Sequence, residues 1–186
     1  MRVVGGRHRG RKLEAPEGQG TRPTADRARE ALFNILAHRE PSLNGAIVLD
    51  LFAGSGALGI EALSRGAAQA VFVERDPKAL ACLRTNLRSL GDDSRALVMA
   101  SDATRLPPSS LSGADLAFLD PPYGKDLAPP CLLALAQGGW LARDALVIVE
   151  VAAREAFAPP PPFSLVEERV YGAARLCFLN LMTSEM

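Results

Sequence analysis

The stretch from Ala46 to Phe52, AIVLDLF, constrains the fold more than any other part of the chain. It is an apolar run broken only by Asp50, the pattern of a strand buried on both faces. A glycine-rich turn and a helical segment, GSGALGIEALSRG, follow at once. The alternation then continues. AVFVE reads as a second strand and DPKALACLRTNLRSLG as a second helix, with Asp76 as N-cap, Pro77 at the first position and Gly91 as terminator. ALVMA and ADLAFLD are further strands, LAPPCLLALAQGG holds a helix begun or broken by its prolines, and ALVIVEV is a fifth strand. Beyond a stiff proline connector, APPPPF, the segments SLVEERVYG and ARLCFLNLM read as a terminal antiparallel pair. Strand–helix alternation of this kind predicts an α/β fold, an open and mostly parallel Rossmann-like sheet. Such sheets bind ligands outside the carboxyl ends of their strands, where the strand order reverses.

Residues 1–40 precede this pattern and read as a separate basic extension to a sheet domain spanning 41–186. RVVGG and GRKLEA suggest a small hairpin. TADRAREALFNILAH is a helix with Thr24 as N-cap and an apolar face of Ala28, Ala31, Leu32, Ile35 and Leu36, which leaves Arg22, Arg27 and Arg29 before it or on its other faces. The formal net charge is zero, but residues 1–40 carry nine Lys/Arg against five Asp/Glu, and the remainder twelve against sixteen. Arg2, Arg7, Arg9, Arg11 and Lys12 crowd the first twelve residues without an acid. A basic arm on an acidic body suits a polyanion, with nucleic acid the expected partner and a solvated tail the alternative. Apolar residues at 48% favour a globular protein, and no apolar run approaches the roughly 20 residues of a membrane span. The N-terminus has no apolar leader, and three scattered cysteines make neither a disulfide framework nor a zinc site, so a reduced cytoplasmic protein is expected.

DLFAGSGALG contains Gly54-x-Gly56-x-x-Gly59, the dinucleotide spacing, after a strand and before a helix. Two features disfavour NAD. Asp50 stands just before the loop, where it would repel a pyrophosphate and attract a cation, and Phe52 and Ala53 delay the first glycine. S-adenosylmethionine carries an ammonium and a sulfonium and no phosphate, so it suits this arrangement. Glu74 ends the second strand, 24 residues after Asp50, where an acid can accept from both ribose hydroxyls. Asp102 follows the third strand, placed to accept from an adenine amino group while the backbone of Ala103 serves the ring. Alone it reads as a turn former. Three acids at three consecutive strand ends are more specific than any one.

Asp120-Pro121-Pro122-Tyr123 ends the fourth strand, across the expected switch point from the first. The prolines donate no N–H and fix φ, and each holds its predecessor out of the helical region. The stiff loop presents two acceptors, the Asp120 carboxylate and the Pro121 carbonyl, and a flat ring. That set suits methylation of an exocyclic amine, whose lone pair is delocalised into its ring. Two acceptors on the –NH₂ localise that lone pair and stabilise the charge that develops on nitrogen. Tyr123 is placed to stack on a flipped or unpaired base. No metal is expected. His8 and His38 fall outside the sheet domain and read as surface residues.

With these residues the chain resembles the RsmD family of class I methyltransferases, which act on the 2-amino group of guanine at position G966 of 16S rRNA. The matching segments are RVVGGRHRGRKL, RPTADRAREALFNIL, LDLFAGSGALGIEALSRGA, VFVERD, DPPY and GWLARDALVIVE. The resemblance implies a seven-stranded sheet with a C-terminal antiparallel strand, S-adenosylmethionine as donor, and 16S rRNA in the small ribosomal subunit as partner; a monomer is expected. It assigns cofactor contacts to Asp50, Phe52, Gly54, Ser55, Gly56, Glu74, Arg75, Asp102, Ala103 and Asp120, and sets Arg22 and Thr24 beside the methionine end. An amino-methyltransferase for another RNA or DNA base shares DPPY. A non-catalytic RNA-binding protein remains the non-enzyme reading.

Overall fold

Strand β1 (Ile47–Leu51) is buried over four of its five residues and lies inside the sheet, with a strand paired on either side, as an apolar run broken only by Asp50 requires. The computed structural model describes residues 1–16 and 23–182. The other strands are β2 (Gln69–Glu74), β3 (Ala96–Ala100), β4 (Ala114–Leu119), β5 (Leu141–Ala152), β6 (Phe163–Tyr171) and β7 (Ala174–Leu181). They form one seven-stranded sheet in the order β3-β2-β1-β4-β5-β7-β6. β1 to β5 pair in parallel, and β7 inserts antiparallel between β5 and β6. The order reverses between β1 and β4, which places the switch point there.

Helices α2 (Ala57–Ser64), α3 (Pro77–Leu90) and α4 (Ala128–Gln137) fill the crossovers. The predicted caps of α3 are present: Asp76 accepts from the Ala79 N–H at 2.8 Å, and Gly91 closes the helix at φ 71°. Period-2 alternation sends Val48, Phe72, Phe118, Ile148 and Phe178 to one face and Leu49, Val71, Val147, Val149 and Cys177 to the other. The first face packs against α2, α3 and α1 (Pro23–Leu36), the second against α4 and Trp140. Residues 158–162 connect β5 to β6 as expected, and end in a turn where the Phe163 N–H bonds the Pro160 carbonyl at 2.9 Å.

Two expectations about α1 are corrected. The helix begins at Pro23, so Thr24 lies inside its first turn and is not the cap. Proline is tolerated there because a first-turn N–H has no intrahelical acceptor. The buried line runs Arg29, Leu32, Phe33 and Leu36, while Ala28, Ala31 and Ile35 are only half-buried. Phe33, fully buried, meets Phe118 with ring centroids 5.5 Å apart, and so turns the helix. Arg29 goes inward because acceptors await it. It donates to the Arg2 carbonyl at 2.6 Å and pairs with buried Glu61.

The N-terminal hairpin forms, with Arg2 and Lys12 bridged antiparallel and a tight 3-10 turn over Gly6–His8. It docks on the outer ends of α2 and α3. Glu61 accepts from the Val4 N–H at 2.8 Å, Ser64 Oγ donates to the Gly5 carbonyl at 2.6 Å, and Asn86 exchanges two bonds with the Glu14 backbone. Val3 and Leu13 enter the same core as α1.

Candidate active site

The carboxyl ends of β1, β2, β4 and β5, with the loop after β3, bring the predicted acids to one edge. Asp50 is 2% exposed, and its Oδ2 accepts from the Gly59 N–H at 2.8 Å, near the start of α2. Burial raises its pKa to about 7, the Gly59 bond opposes that rise, and Glu74 adds to it. Asp50 thus braces the glycine loop as well as presenting a carboxyl.

The loop itself carries strain where the ligand argument needs it. Phe52, a non-glycine residue, stands at φ 61° and is half-buried. Gly54 stands at φ 55°, and a Cβ there would meet nothing within 4 Å, which leaves open space over the backbone. Gly56 differs: a Cβ there would come within 2.3 Å of Leu83 Cδ1, so this glycine serves helix packing. The Ser55 carbonyl accepts from Asn86 Nδ2 at 3.0 Å, which ties the loop to α3 and, through the same amide, to Glu14.

Glu74 closes the loop from the next strand. Its Oε2 accepts from the Gly54 N–H at 2.8 Å, and its Oε1 from the N–H groups of Arg75 and Asp76. Asp102 forms the expected Asx turn, accepting from Thr104 N–H and Oγ–H at 2.9 and 2.8 Å. Those bonds, with Arg75 on its other oxygen at 3.2 Å, hold its pKa below the ordinary carboxylate value. Ala103 is buried beside it.

Asp120 stands one residue past β4. Solvent reaches it, yet protein atoms crowd its carboxyl, and that desolvation raises its pKa well above the ordinary value, with Glu150 and Asp50 adding to the effect. Neither its carboxylate nor the Pro121 carbonyl accepts a hydrogen bond among the described residues. Pro121 is buried and Pro122 exposed, and Tyr123 is 43% exposed, a ring face held at the surface. The Tyr123 hydroxyl donates to Glu150 Oε1 at 2.5 Å. Glu150 was absent from the sequence reading, although its signal was the one used for Glu74: an acid near the end of an apolar strand run.

The other predicted residues divide. Arg22 lies outside the described residues, and Thr24 is described only as backbone of α1. In the basic arm, Arg7 pairs with buried Asp92, which also meets His8 at 3.0 Å and Arg95 at 2.6 Å, so His8 is a partner in an ion cluster and not only a surface residue. Arg11 donates to the Ser89 carbonyl at 2.7 Å and Arg2 to the Gly10 carbonyl at 2.8 Å. α3 begins at the carboxyl end of β2, so Ser89 and Asp92, at its far end, lie at the opposite edge of the sheet from the site. Arg9 and Lys12 are exposed and make no ion pair among the described residues. No described helix is long and apolar enough to cross a membrane, and no group of three His, Cys, Asp or Glu among the described residues is placed to hold a metal.

This architecture has relatives. The family model described as Conserved hypothetical protein 95 matches residues 1–180. The chain is 42% identical over 173 residues to Ribosomal RNA small subunit methyltransferase D of Escherichia coli strain K12, covering 92% of this chain and 85% of that one. It is 35% identical over 175 residues to the protein of the same name from Haemophilus influenzae, covering 92% and 89%. The solved structure of yhhF from Escherichia coli superposes with a TM-score of 0.83 at 39% identity, over 97% of both chains.

Proposed function

The chain belongs to the Conserved hypothetical protein 95 family, the RsmD methyltransferases, and from that premise we propose that it methylates the N2 amine of a guanine in 16S rRNA of the small ribosomal subunit, at the G966 position. The observation that carries this reading is the pair of unspent acceptors on a stiff loop at the switch point, the Asp120 carboxylate and the Pro121 carbonyl, beside the glycine loop. They take the two hydrogens of the amine, turn its lone pair out of the ring and stabilise positive charge on nitrogen. Pro121 and Pro122 keep both acceptors in place, so little freedom remains to be lost on binding. Tyr123 offers its exposed face to a base taken out of its stack. Asp120, or solvent water reaching this exposed residue, takes the proton lost by the methylated amine.

S-adenosylmethionine fits the residues present. The open space over Gly54 leaves room for a ligand against backbone, the buried Asp50 carboxyl suits a cation, and Glu74 keeps lone pairs for ribose hydroxyls. Phe52, Ser55, Gly56, Arg75, Asp102 and Ala103 complete that surface, with Asp120 alongside and Arg22 and Thr24 assigned to the methionine end. When bound, it supplies the electrophilic methyl group. Residues 1–40 act in this reading as a basic hairpin and helix extension of a 41–186 catalytic domain, with Arg9 and Lys12 its phosphate contacts. The chain works as a monomer in the cytoplasm, where small subunits are assembled. The test is incubation with tritiated S-adenosylmethionine and unmodified small subunits, followed by mapping of the labelled base. Label on N2 of one guanine supports the reading, and label elsewhere or none refutes it.

A further inference from the structure

Asp120 has a neighbour that the proposed chemistry does not yet use. β4 and β5 pair in register with Phe118 opposite Ile148 and Leu119 opposite Val149. The next step sets Asp120 level with Glu150, on strands about 4.8 Å apart. Phe118 and Ile148 face the same core, so period 2 returns Asp120 and Glu150 to that face, which Val48 and Asp50 also share. Three adjacent strands therefore present three carboxyls in a row along one edge. Like charges so placed favour a partner that brings only donors. Glu150 is half-buried, and one of its oxygens is engaged by the Tyr123 hydroxyl at 2.5 Å. The other, Oε2, accepts no hydrogen bond among the described residues.

The Watson–Crick edge of guanine offers adjacent donors, the N1–H and the N2 amine. Adenine and 2-aminopurine place an acceptor nitrogen at N1, which faces a carboxylate unfavourably. We propose that Glu150 is the base-reading residue: its carboxylate accepts the guanine N1–H while Asp120 and the Pro121 carbonyl hold the N2 amine. The assignment rests on reading this site as a guanine amino-methyltransferase. Tyr123 then does two things. Its ring stacks on the base, and its hydroxyl occupies one Glu150 oxygen, which leaves Oε2 to face the base edge. A site built to satisfy a substrate N–H rejects an analogue lacking it far more strongly than an apolar pocket rejects a change of shape.

The probe is a small subunit carrying 2-aminopurine in place of the target guanine, which keeps the 2-amine but turns N1 into an acceptor. Methyl transfer is followed with tritiated S-adenosylmethionine. The wild-type chain is expected to favour guanine by about 100-fold or more in kcat/KM, the worth of one hydrogen bond to a charged carboxylate. Glu150→Gln, whose amide can donate to an acceptor N1, should cut that preference to about tenfold or less. Tyr123→Phe, which keeps the ring and loses only the hydroxyl, should leave the preference within about threefold of wild type. Cofactor affinity measured by calorimetry should be unchanged in Glu150→Gln, which shows that the fold and the cofactor site are intact. Equal use of both bases by the wild type overturns the proposal, and that comparison stands even if the variant does not fold. A loss of preference in Tyr123→Phe matching that in Glu150→Gln also overturns it, since Glu150 would then act only as an anchor for the ring. If the wild type methylates neither base, the amino-methyltransferase reading itself fails.

Discussion

Replacing Asp50 by asparagine is expected to stabilise the ligand-free protein while weakening its cofactor site. Asp50 is 2% exposed, and its pKa rises from 3.8 to about 7. At about 1.4 kcal/mol per pH unit, that rise corresponds to roughly 4 kcal/mol in favour of the protonated form. The sign follows from linkage. The folded state holds the proton more tightly than the unfolded chain, so stability is greatest below about pH 4, falls as the pH rises towards 7, and stays low above it. Asparagine is never charged, and its carbonyl can still accept the Gly59 N–H that Asp50 accepts at 2.8 Å. Asp50→Asn should therefore match the parent near pH 4 and exceed it by up to about 4 kcal/mol at pH 8. Urea unfolding at a series of pH values measures the difference, with the single, buried Trp140 as the fluorescent reporter. Calorimetry on the same variant should show weaker binding of S-adenosylmethionine, whose ammonium loses a carboxylate partner. A variant less stable than the parent at pH 8, or an offset that does not change with pH, would refute the claim that burial of this carboxyl is a cost kept for a cation.

Asp120→Ala removes one of the two amine acceptors and should lower kcat by about 100- to 1,000-fold with cofactor affinity largely kept; unchanged turnover on small subunits would sink the acceptor mechanism. Glu74→Ala removes the expected ribose acceptor and frees the Gly54 N–H, so calorimetry should show a loss of about 10- to 100-fold in cofactor affinity, and equal affinity would contradict that role. Arg9→Ala with Lys12→Ala should flatten the salt dependence of RNA binding by about one slope unit per residue, whereas Arg7→Ala, which removes a partner of buried Asp92, should instead lower the melting temperature. A salt slope that responds only to Arg7 would reverse that division of the arm.

The sheet was legible because its signals are local and redundant. Each buried strand is a short apolar run, each turn carries glycine or proline, and Asp76 and Gly91 mark the ends of α3 by well-understood caps. The strand-end acids were legible for the same reason: in a parallel sheet the chain itself says which end is the carboxyl end. What escaped was long-range. Arg29 reads as a solvent-facing cation until the Arg2 carbonyl and Glu61, 27 residues before it and 32 after, provide a buried place for its charge. Phe33 lies off the apolar stripe that residue spacing suggests, and only contact with Phe118 on β4 turns the helix to bury it.

The basic arm shows how the same limit bears on function. Charge counting treats five cations as one patch, but a cation contributes to a nucleic-acid surface only where the fold leaves it to solvent. Arg7 and Arg11 are used to tie the hairpin to the far end of α3, so their charge is already engaged within the protein. The same hairpin reaches the glycine loop by another route, because Asn86 bonds both the Glu14 and Ser55 carbonyls. One buried amide thus joins the end of the hairpin segment to the glycine loop. In the proposed reading Arg9 and Lys12 would meet phosphates directly, while Arg7 and Arg11 hold the hairpin where Glu14 meets that amide. Residues 1–40 are not separate in packing, since Val3 and Leu13 share a core with Phe33, Phe72 and Phe118, so the proposed division from residues 41–186 can only be one of role.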